Sequence, residues 1–138
     1  MDEGQLRQRV AEARVARIGT VDERGRVHLV PIVFVLDGDR LYSATDDGPR
    51  PAKRMRNLAR DPRTTVLVDA YDEDWSTVWW VRLRGRGPAV TDVQERAHAR
   101  QLLWDKYPQF GDAPPAEAAS PPMMAVDIDQ WAGWAYSD

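Results

Sequence analysis

The stretch VPIVFVLDGDRLYSATDDGPRPAKRMRN, residues 30–57, decides the fold. Its Asp37-Gly38 pair separates two apolar segments, which is a strong short-range signal for a β-hairpin. A polar segment follows the second predicted strand, and a helix then begins with concentrated positive charge. The spacing i, i+3, i+4, i+7 predicts that four polar residues share one face of this helix: Arg50, Lys53, Arg54 and Asn57.

Positive charge at a helix start is electrostatically unfavourable, because the N-terminus already carries the positive end of the helix dipole. A bound anion would offset that cost, and the free N–H groups of the first turn are ready donors for one. Ser43 and Thr45 add hydroxyl groups just before the helix. A phosphate-bearing ligand is one interpretation of this cluster, and a solvated basic helix face is the other.

Length and composition restrict the class of protein. The chain has 138 residues, a formal net charge of −3 and no cysteine, which predicts one domain without disulfides, zinc–thiolate sites or thiol catalysis. The pI of about 5.4 argues against a nucleic-acid partner. The N-terminus has acidic residues and no apolar run, and no segment reaches the ~20 apolar residues of a membrane helix. We therefore expect a cytoplasmic protein with no membrane and no nucleic-acid partner.

Two residue types are unevenly distributed. Of the 19 basic residues, only Lys53 and Lys106 are lysines, and Lys53 lies in the basic helix start.

The chain has six tryptophans, five of them in two patches. These five are Trp75, Trp79, Trp80, Trp131 and Trp134. Aromatic residues in excess of what a small core holds usually line a ligand pocket or a subunit interface.

The rest of the chain predicts short strands with helices between them. Strands are predicted at residues 15–21, 27–35, 40–44, 64–70, 76–87 and 123–128, with a short terminal strand at 131–136. Helices are predicted at residues 3–14, from Pro51 to Asp61-Pro62, and from a Thr91-x-x-Gln94 capping box to about Tyr107. Ala52, Met55, Leu58 and Ala59 form the predicted apolar stripe of the middle helix. This order predicts a mainly β protein, a six- or seven-stranded antiparallel barrel with helices at its ends.

No recognisable triad, metal-ligand cluster or glycine-rich dinucleotide loop is present, so the sequence predicts no metal site and no catalytic residue. His28 lies in the middle of a predicted strand and is interpreted as a satisfied structural histidine. The predicted fifth strand carries Arg82, Arg84 and Arg86 on one face. These arginines could pair across a dimer interface with the acidic loop 72–74, bind a ligand tail, or be solvated.

The ordered elements resemble the split-β-barrel flavin-binding superfamily, the pyridoxamine-5′-phosphate-oxidase-like proteins. The resemblance lies in VARIGTVDERGRVHLVPIVFVLDGDRLY (residues 15–42), in Lys53 and Asn57, and in NLARDPRTTVLVD (residues 57–69). DAYDEDWSTVWWVRLRG (residues 69–85) followed by WAGW (residues 131–134) is similar to one subgroup, small actinobacterial-type proteins that use coenzyme F420, a deazaflavin, in place of FMN.

The resemblance implies a homodimer with two cofactor sites at its interface. It implies these cofactor-binding residues: Pro31, Ile32, Val33, Ser43, Thr45, Arg50, Lys53, Asn57, Trp80 and Trp131. Lys53 would meet the cofactor phosphate, with Arg50 and Asn57 as its neighbours. Residues 31–33 would border the cofactor ring with their backbone. Ser43 and Thr45 would contact the cofactor chain, and Trp80 and Trp131 would reach the ring from the partner subunit.

The activity implied is that of an F420-dependent oxidoreductase, which transfers a hydride between the reduced deazaflavin and a small unsaturated or aromatic substrate. The cofactor carries this chemistry, and the protein supplies position and electrostatics. One alternative is an FMN-dependent oxidoreductase on the same fold, and another is a non-catalytic carrier of F420 or flavin. A true pyridoxamine-phosphate oxidase is not expected, because the sequence has no second basic cluster suited to a substrate phosphate.

Overall fold

A computed structural model describes residues 1–45 and 52–137. Within these residues the chain forms a seven-stranded antiparallel sheet and three α-helices. The strands are β1 (Ala16–Val21), β2 (Val27–Ile32), β3 (Val35–Asp37), β4 (Arg40–Ala44), β5 (Arg63–Ala70), β6 (Trp79–Arg86) and β7 (Met123–Ala135). The helices are α1 (Glu3–Glu12), α2 (Lys53–Arg60) and α3 (Val93–Lys106). The predicted mainly β split barrel is confirmed.

The strand order is β2-β1-β5-β6-β7-β4-β3, so β2 and β3 lie at opposite edges of the sheet although they are adjacent in sequence. The sequence predicted one strand over residues 27–35, and this prediction is wrong. The chain leaves β1 after Ile32 and joins β4 from Val35 onward. Only a curled sheet brings its two edges within reach of a two-residue connection.

Tyr107 holds the chain at this strand break. Phe34 lies outside both strands, so its backbone groups need partners other than the sheet. The Tyr107 hydroxyl accepts a hydrogen bond from the Phe34 N–H at 3.1 Å and lies 3.0 Å from the carbonyl oxygens of Phe34 and Arg14, either of which can accept its proton. This buried hydroxyl joins the end of α3 to the strand break and to the segment after α1.

Two apolar clusters form the core. The larger one fills the concave side of the sheet, where α1 contributes Leu6 and Val10 and α2 contributes Leu58. The second lies on the other side of β3, β4 and β7, where α3 packs through Ala99 and Leu103. The convex faces of β2, β1, β5 and β6 have no helix over them within the described residues.

The C-terminal strands differ from the prediction. The segments at residues 123–128 and 131–136 form one 13-residue strand, β7, that pairs with both β4 and β6. A β-bulge between Arg84 and Gly85 adjusts the register along it. Gly85 is required there, because a Cβ on it would overlap the carbonyl oxygen of Asp127.

The N-terminal end of α3 also differs. Asp92, not Thr91, is its N-cap, and its carboxylate accepts a hydrogen bond from the Glu95 N–H at 2.9 Å.

The predicted turn glycines are confirmed, since Gly25 and Gly38 have φ angles of 78° and 63°. Within the described residues, no helix is both long enough and apolar enough to cross a bilayer.

Lys106 carries an ammonium group into the second cluster. Its Nζ is buried, has no hydrogen-bond partner among the described residues and lies 3.9 Å from the centre of the Phe34 ring. Burial, and then the nearby Arg14 guanidinium, lower the pKa of Lys106 to about 8. The folded state therefore holds this charge in an unfavourable environment at neutral pH.

We expect Tyr107→Phe to lower the free energy of unfolding by about 1–3 kcal/mol, because it leaves the buried Phe34 backbone groups without a partner. Tyr136→Phe is the matched control, since the Tyr136 side chain is exposed, and it should change stability by no more than about 0.5 kcal/mol. Urea denaturation measures both. Equal stability of the two variants would contradict the role given to the Tyr107 hydroxyl.

We expect Lys106→Met to raise the free energy of unfolding at pH 7 by on the order of 1–2 kcal/mol, because it removes a poorly solvated charge. The folded-state pKa of about 8 is below the ordinary 10.5, so the stability of the native protein should rise between these pH values. Above pH 10.5 the amine is neutral in both states, and the difference from the Met variant should shrink. A Met variant that is less stable at pH 7 would mean that the contacts with the aromatic rings outweigh the cost of burial.

Candidate functional site

The basic start of α2 is open to solvent at Lys53. The helix has no side-chain N-cap, and its first turn contains no acidic residue. The Lys53 ammonium lies 3.8 Å from Asp22 Oδ2, and its side chain remains 43% exposed. This contact is loose, so the ammonium is oriented by Asp22 and still accessible to a ligand.

Asp22 is held by the β1–β2 turn. Its buried carboxylate accepts hydrogen bonds from the N–H groups of Arg24 and Arg26, both at 2.9 Å. These bonds, led by the one from Arg26, lower the pKa of Asp22, and its ionised form is stabilised. The turn therefore presents a fixed negative charge to the start of α2.

His28 lies beside the same helix start and was missed as a site residue. It pairs with Thr20 in the β1–β2 ladder, and its Nδ1 atom is buried without a hydrogen-bond partner among the described residues. Burial lowers the pKa of His28 first, followed by the charges of Lys53 and Arg54. The interpretation of His28 as a satisfied structural histidine is therefore wrong for Nδ1. The cations of α2 therefore act on His28 together with the Asp22 carboxylate, which raises its pKa and partly offsets them.

Asn57 does not share the exposed face predicted for it. Its side chain is 1% exposed, and Nδ2 donates a hydrogen bond to Thr20 Oγ1 at 3.1 Å. Ala59, predicted on the apolar stripe, is exposed, whereas Ala52 and Leu58 are buried. Asn57 therefore attaches α2 to β1, because the helix turns this face toward the barrel. Arg50 and Pro51 lie outside the described residues.

The predicted hydroxyl residues are both buried at the end of β4. Ser43 Oγ donates to the Val33 carbonyl oxygen at 2.7 Å, so this hydroxyl is used to hold the strand break. Thr45 is 2% exposed, and its Oγ1 has no hydrogen-bond partner among the described residues. Val33 and Thr45 line one cavity of about 520 Å³, together with Trp104 and Phe110.

Pro31 and Ile32 lie on opposite faces of β2. Pro31 is exposed, and Ile32 is buried in the larger core cluster. β2 is an edge strand, which tolerates a proline because one side of its backbone is unpaired. A ligand beside this strand would therefore meet its backbone and Pro31, but not the side chain of Ile32.

Trp80 and Trp131 lie on opposite faces of the sheet. Trp131 is on the concave face with Leu83, packs against the larger core cluster, and has the Arg7 guanidinium 4.5 Å from its ring centre. This packing under α1 does not suit the predicted contact of Trp131 with a partner's cofactor. Trp80 is on the convex face and lines a surface cluster of aromatic side chains. The other aromatic members are Tyr71, Trp75, Trp134 and Tyr136.

The convex face of the sheet carries exposed apolar side chains level with the basic end of β6, where Leu67 pairs with Arg82 and Val27 lines the same groove as Arg84. Val27, Leu29 and Leu67 are 72%, 65% and 38% exposed there. Arg84 and Arg86 line an open groove of about 550 Å³ at one end of β6. The acidic loop 72–74 lies just before the other end. Among the described residues, no group of side chains could hold a metal ion.

Comparison with known families agrees with this architecture. The family model "Pyridoxamine 5'-phosphate oxidase" matches residues 3–135. The chain therefore belongs to the pyridoxamine 5′-phosphate oxidase family, within the split-barrel flavin-binding superfamily. No curated protein matches the chain.

Several solved structures share the fold at low sequence identity. A conserved hypothetical protein from Mycobacterium tuberculosis has a TM-score of 0.81 at 17% identity, with 99% of this chain and 86% of that chain covered. A FAD-binding protein from Mesorhizobium loti has a TM-score of 0.74 at 22% identity, with 96% of this chain and 94% of that chain covered. The FAD binding protein from Mycobacterium smegmatis has a TM-score of 0.70 at 19% identity, with 97% of this chain and 94% of that chain covered.

Proposed function

We propose that this protein is an oxidoreductase that binds coenzyme F420 at the basic start of α2 and uses it to transfer a hydride to a small unsaturated or aromatic substrate. The observation that carries the proposal is the solvent-accessible Lys53 ammonium beside His28, whose Nδ1 has no hydrogen-bond partner among the described residues. An anion bound there would offset the positive charge of the helix start. A phosphate is the anion that the proposed cofactor provides.

The proposed cofactor fits the residues present. Lys53 and the first N–H groups of α2 would hold the phosphate, and His28 would add a hydrogen bond. Thr45 Oγ1, near the end of β4, also has no hydrogen-bond partner within residues 1–45 and 52–137. The backbone from Pro31 to Val33 would border the ring, and Arg50 remains part of the proposed phosphate site. The bound deazaflavin would supply hydride transfer, while these residues would bind and orient it.

The choice of F420 over FMN depends on charge. Lys53, Arg54 and Arg56 lower the pKa of His28, and Asp22 raises it, so cations and a carboxylate both act at this site. F420 carries carboxylates beyond its phosphate, whereas FMN carries only the phosphate, and the run of basic residues along α2 therefore favours F420. The FAD-binding neighbours favour a flavin, which supports the FMN alternative. A non-catalytic carrier of either cofactor would use the same residues.

We also propose that a second copy of the chain covers the convex face of the sheet. Arg82, Arg84 and Arg86 point along this face, and no ion pair to them is found in the described part of the chain. If two copies packed with β6 antiparallel, the basic end of one would meet the acidic loop 72–74 of the other. The exposed apolar residues of the same face, which lie on β2 and β5 beside the basic end, would then be buried, as in an obligate dimer. Trp80 and Trp134 would face the partner.

We expect Lys53→Ala to weaken cofactor binding about tenfold to a hundredfold, because a charge-assisted hydrogen bond contributes about 1.5–3 kcal/mol. Lys106→Met removes the same charge at the buried end of α3 and should leave the affinity unchanged. Fluorescence titration of each variant with F420 and with FMN measures both effects. Thermal unfolding should confirm that both variants are folded.

The same titration tests the cofactor. Tighter binding of F420 than of FMN supports the proposal, and tight FMN binding without detectable F420 binding would replace it with the flavin alternative. Wild-type affinity in a folded Lys53→Ala protein would exclude Lys53 from the site. Binding without any cofactor-dependent turnover across a panel of small unsaturated and aromatic compounds would favour the carrier.

We expect Leu29→Asp combined with Leu67→Asp to convert the dimer into a monomer, because two charges would be buried in place of apolar side chains at the interface. Val93→Asp is the control, since Val93 on α3 is 62% exposed, close to the 65% of Leu29, and lies away from the convex face. Sedimentation equilibrium at low micromolar concentration measures the mass. A wild-type monomer would contradict the proposed dimer, and a double variant that stays dimeric would place the interface elsewhere.

A further inference from the structure

The cavity between β4, the end of α3 and the loop after it has a chemistry different from that of the basic helix start. Its volume of about 520 Å³ is within the range of small-molecule sites. One wall is formed by Trp104 and Phe110, whose rings stack with centres 4.3 Å apart and planes 17° apart. The lining also includes the small residues Ala118 and Ala119. A flat ligand would fit beside the stacked rings.

The described lining of this cavity contains no charged side chain. Its polar side chains are Thr45 and Ser120, and the Thr45 hydroxyl is itself buried. A phosphate or carboxylate entering the cavity would lose hydration without gaining a counter-charge from this lining. A neutral ligand would lose little hydration and would gain contact with the aromatic wall.

The nearest cavity does not change this conclusion. It has a volume of about 350 Å³ and shares Val33 and Phe110 with the first cavity. Its described lining includes the guanidinium of Arg14, which lies 4.5 Å from the Tyr107 ring centre and donates to the Lys106 carbonyl oxygen at 2.9 Å. This cation is already engaged in holding α3 to the end of α1.

We propose that the cavity of 520 Å³ binds the substrate, and that the substrate is a neutral, planar aromatic compound without a phosphate or carboxylate group. This inference depends on the proposed oxidoreductase function. Val33 and Thr45 both line this cavity and were both proposed to contact the cofactor, so the two ligands would meet at these residues. The chain would thus hold its anionic cofactor and its neutral substrate in sites of opposite chemistry.

The test compares two probes that differ in charge, 2-naphthol and 2-naphthyl phosphate, by isothermal titration calorimetry with the full chain. Each probe is titrated without cofactor and in the presence of saturating cofactor. Ala119→Phe should fill the cavity from the small residues of its lining. Ala116→Phe is the matched control, because it adds the same side chain in the same loop outside the described lining. Thermal unfolding checks that both variants are folded.

With saturating cofactor on the basic helix start, we expect 2-naphthol to bind at least about tenfold more tightly than 2-naphthyl phosphate. The two probes are compared in this cofactor-bound protein, because the phosphate probe would otherwise also bind at Lys53. Ala119→Phe should weaken 2-naphthol binding by at least about tenfold, whereas Ala116→Phe should not change it. Equal or tighter binding of the phosphate would overturn the inferred ligand class, and unchanged 2-naphthol affinity in a folded Ala119→Phe protein would overturn the inferred location.

The outcomes separate this inference from the proposed function. If saturating cofactor displaces 2-naphthol, the cavity belongs to the cofactor, and the substrate assignment fails while cofactor binding stands. If neither F420 nor FMN binds but 2-naphthol binds as expected, the proposed function fails, and the cavity retains its neutral aromatic ligand class.

Discussion

The break between β2 and β3 is the constraint on which the barrel depends. The chain crosses from one edge of the sheet to the other within two residues, and this is possible only because the sheet curls until its edges meet. Phe34 then has no strand partner, so the Tyr107 hydroxyl takes the place of the sheet. The Ser43 hydroxyl does the same for the Val33 carbonyl oxygen. Two buried hydroxyl groups, from distant parts of the sequence, thus close the barrel.

The closed barrel creates two environments that differ in electrostatics. At the start of α2, a buried carboxylate from the β1–β2 turn orients Lys53, and His28 lies close enough to the cations of α2 for them to lower its pKa. Beside β4 and α3, aromatic and small residues line a cavity whose described side chains carry no charge. The first environment suits an anionic group, and the second suits a neutral one. A protein that brings an anionic cofactor to a neutral substrate needs both.

Burial explains why some polar residues at the site are structural. Asn57 lies on the charged helix, but its amide bonds Thr20 inside the barrel. Trp131 lies in the C-terminal tryptophan patch, but its ring packs under α1. A buried amide without its partner would cost free energy, so such a residue is not available to a ligand in the way that an exposed one is. By contrast, the Lys53 side chain is 43% exposed and remains accessible.

Local signals in the sequence determined much of the fold: the turns at Gly25 and Gly38, the alternating faces of β6 and the positive charge at the start of α2. These features depend on backbone preference and spacing within a few residues, so they can be read from the chain alone. Only the tertiary structure decided the break at Phe34, the union of the last two predicted strands into β7, the burial of Asn57, and the meeting of Val33 with Trp104 and Phe110 around one cavity. Each of these depends on contacts between residues far apart in sequence, and spacing along the chain does not specify which distant residue supplies the partner.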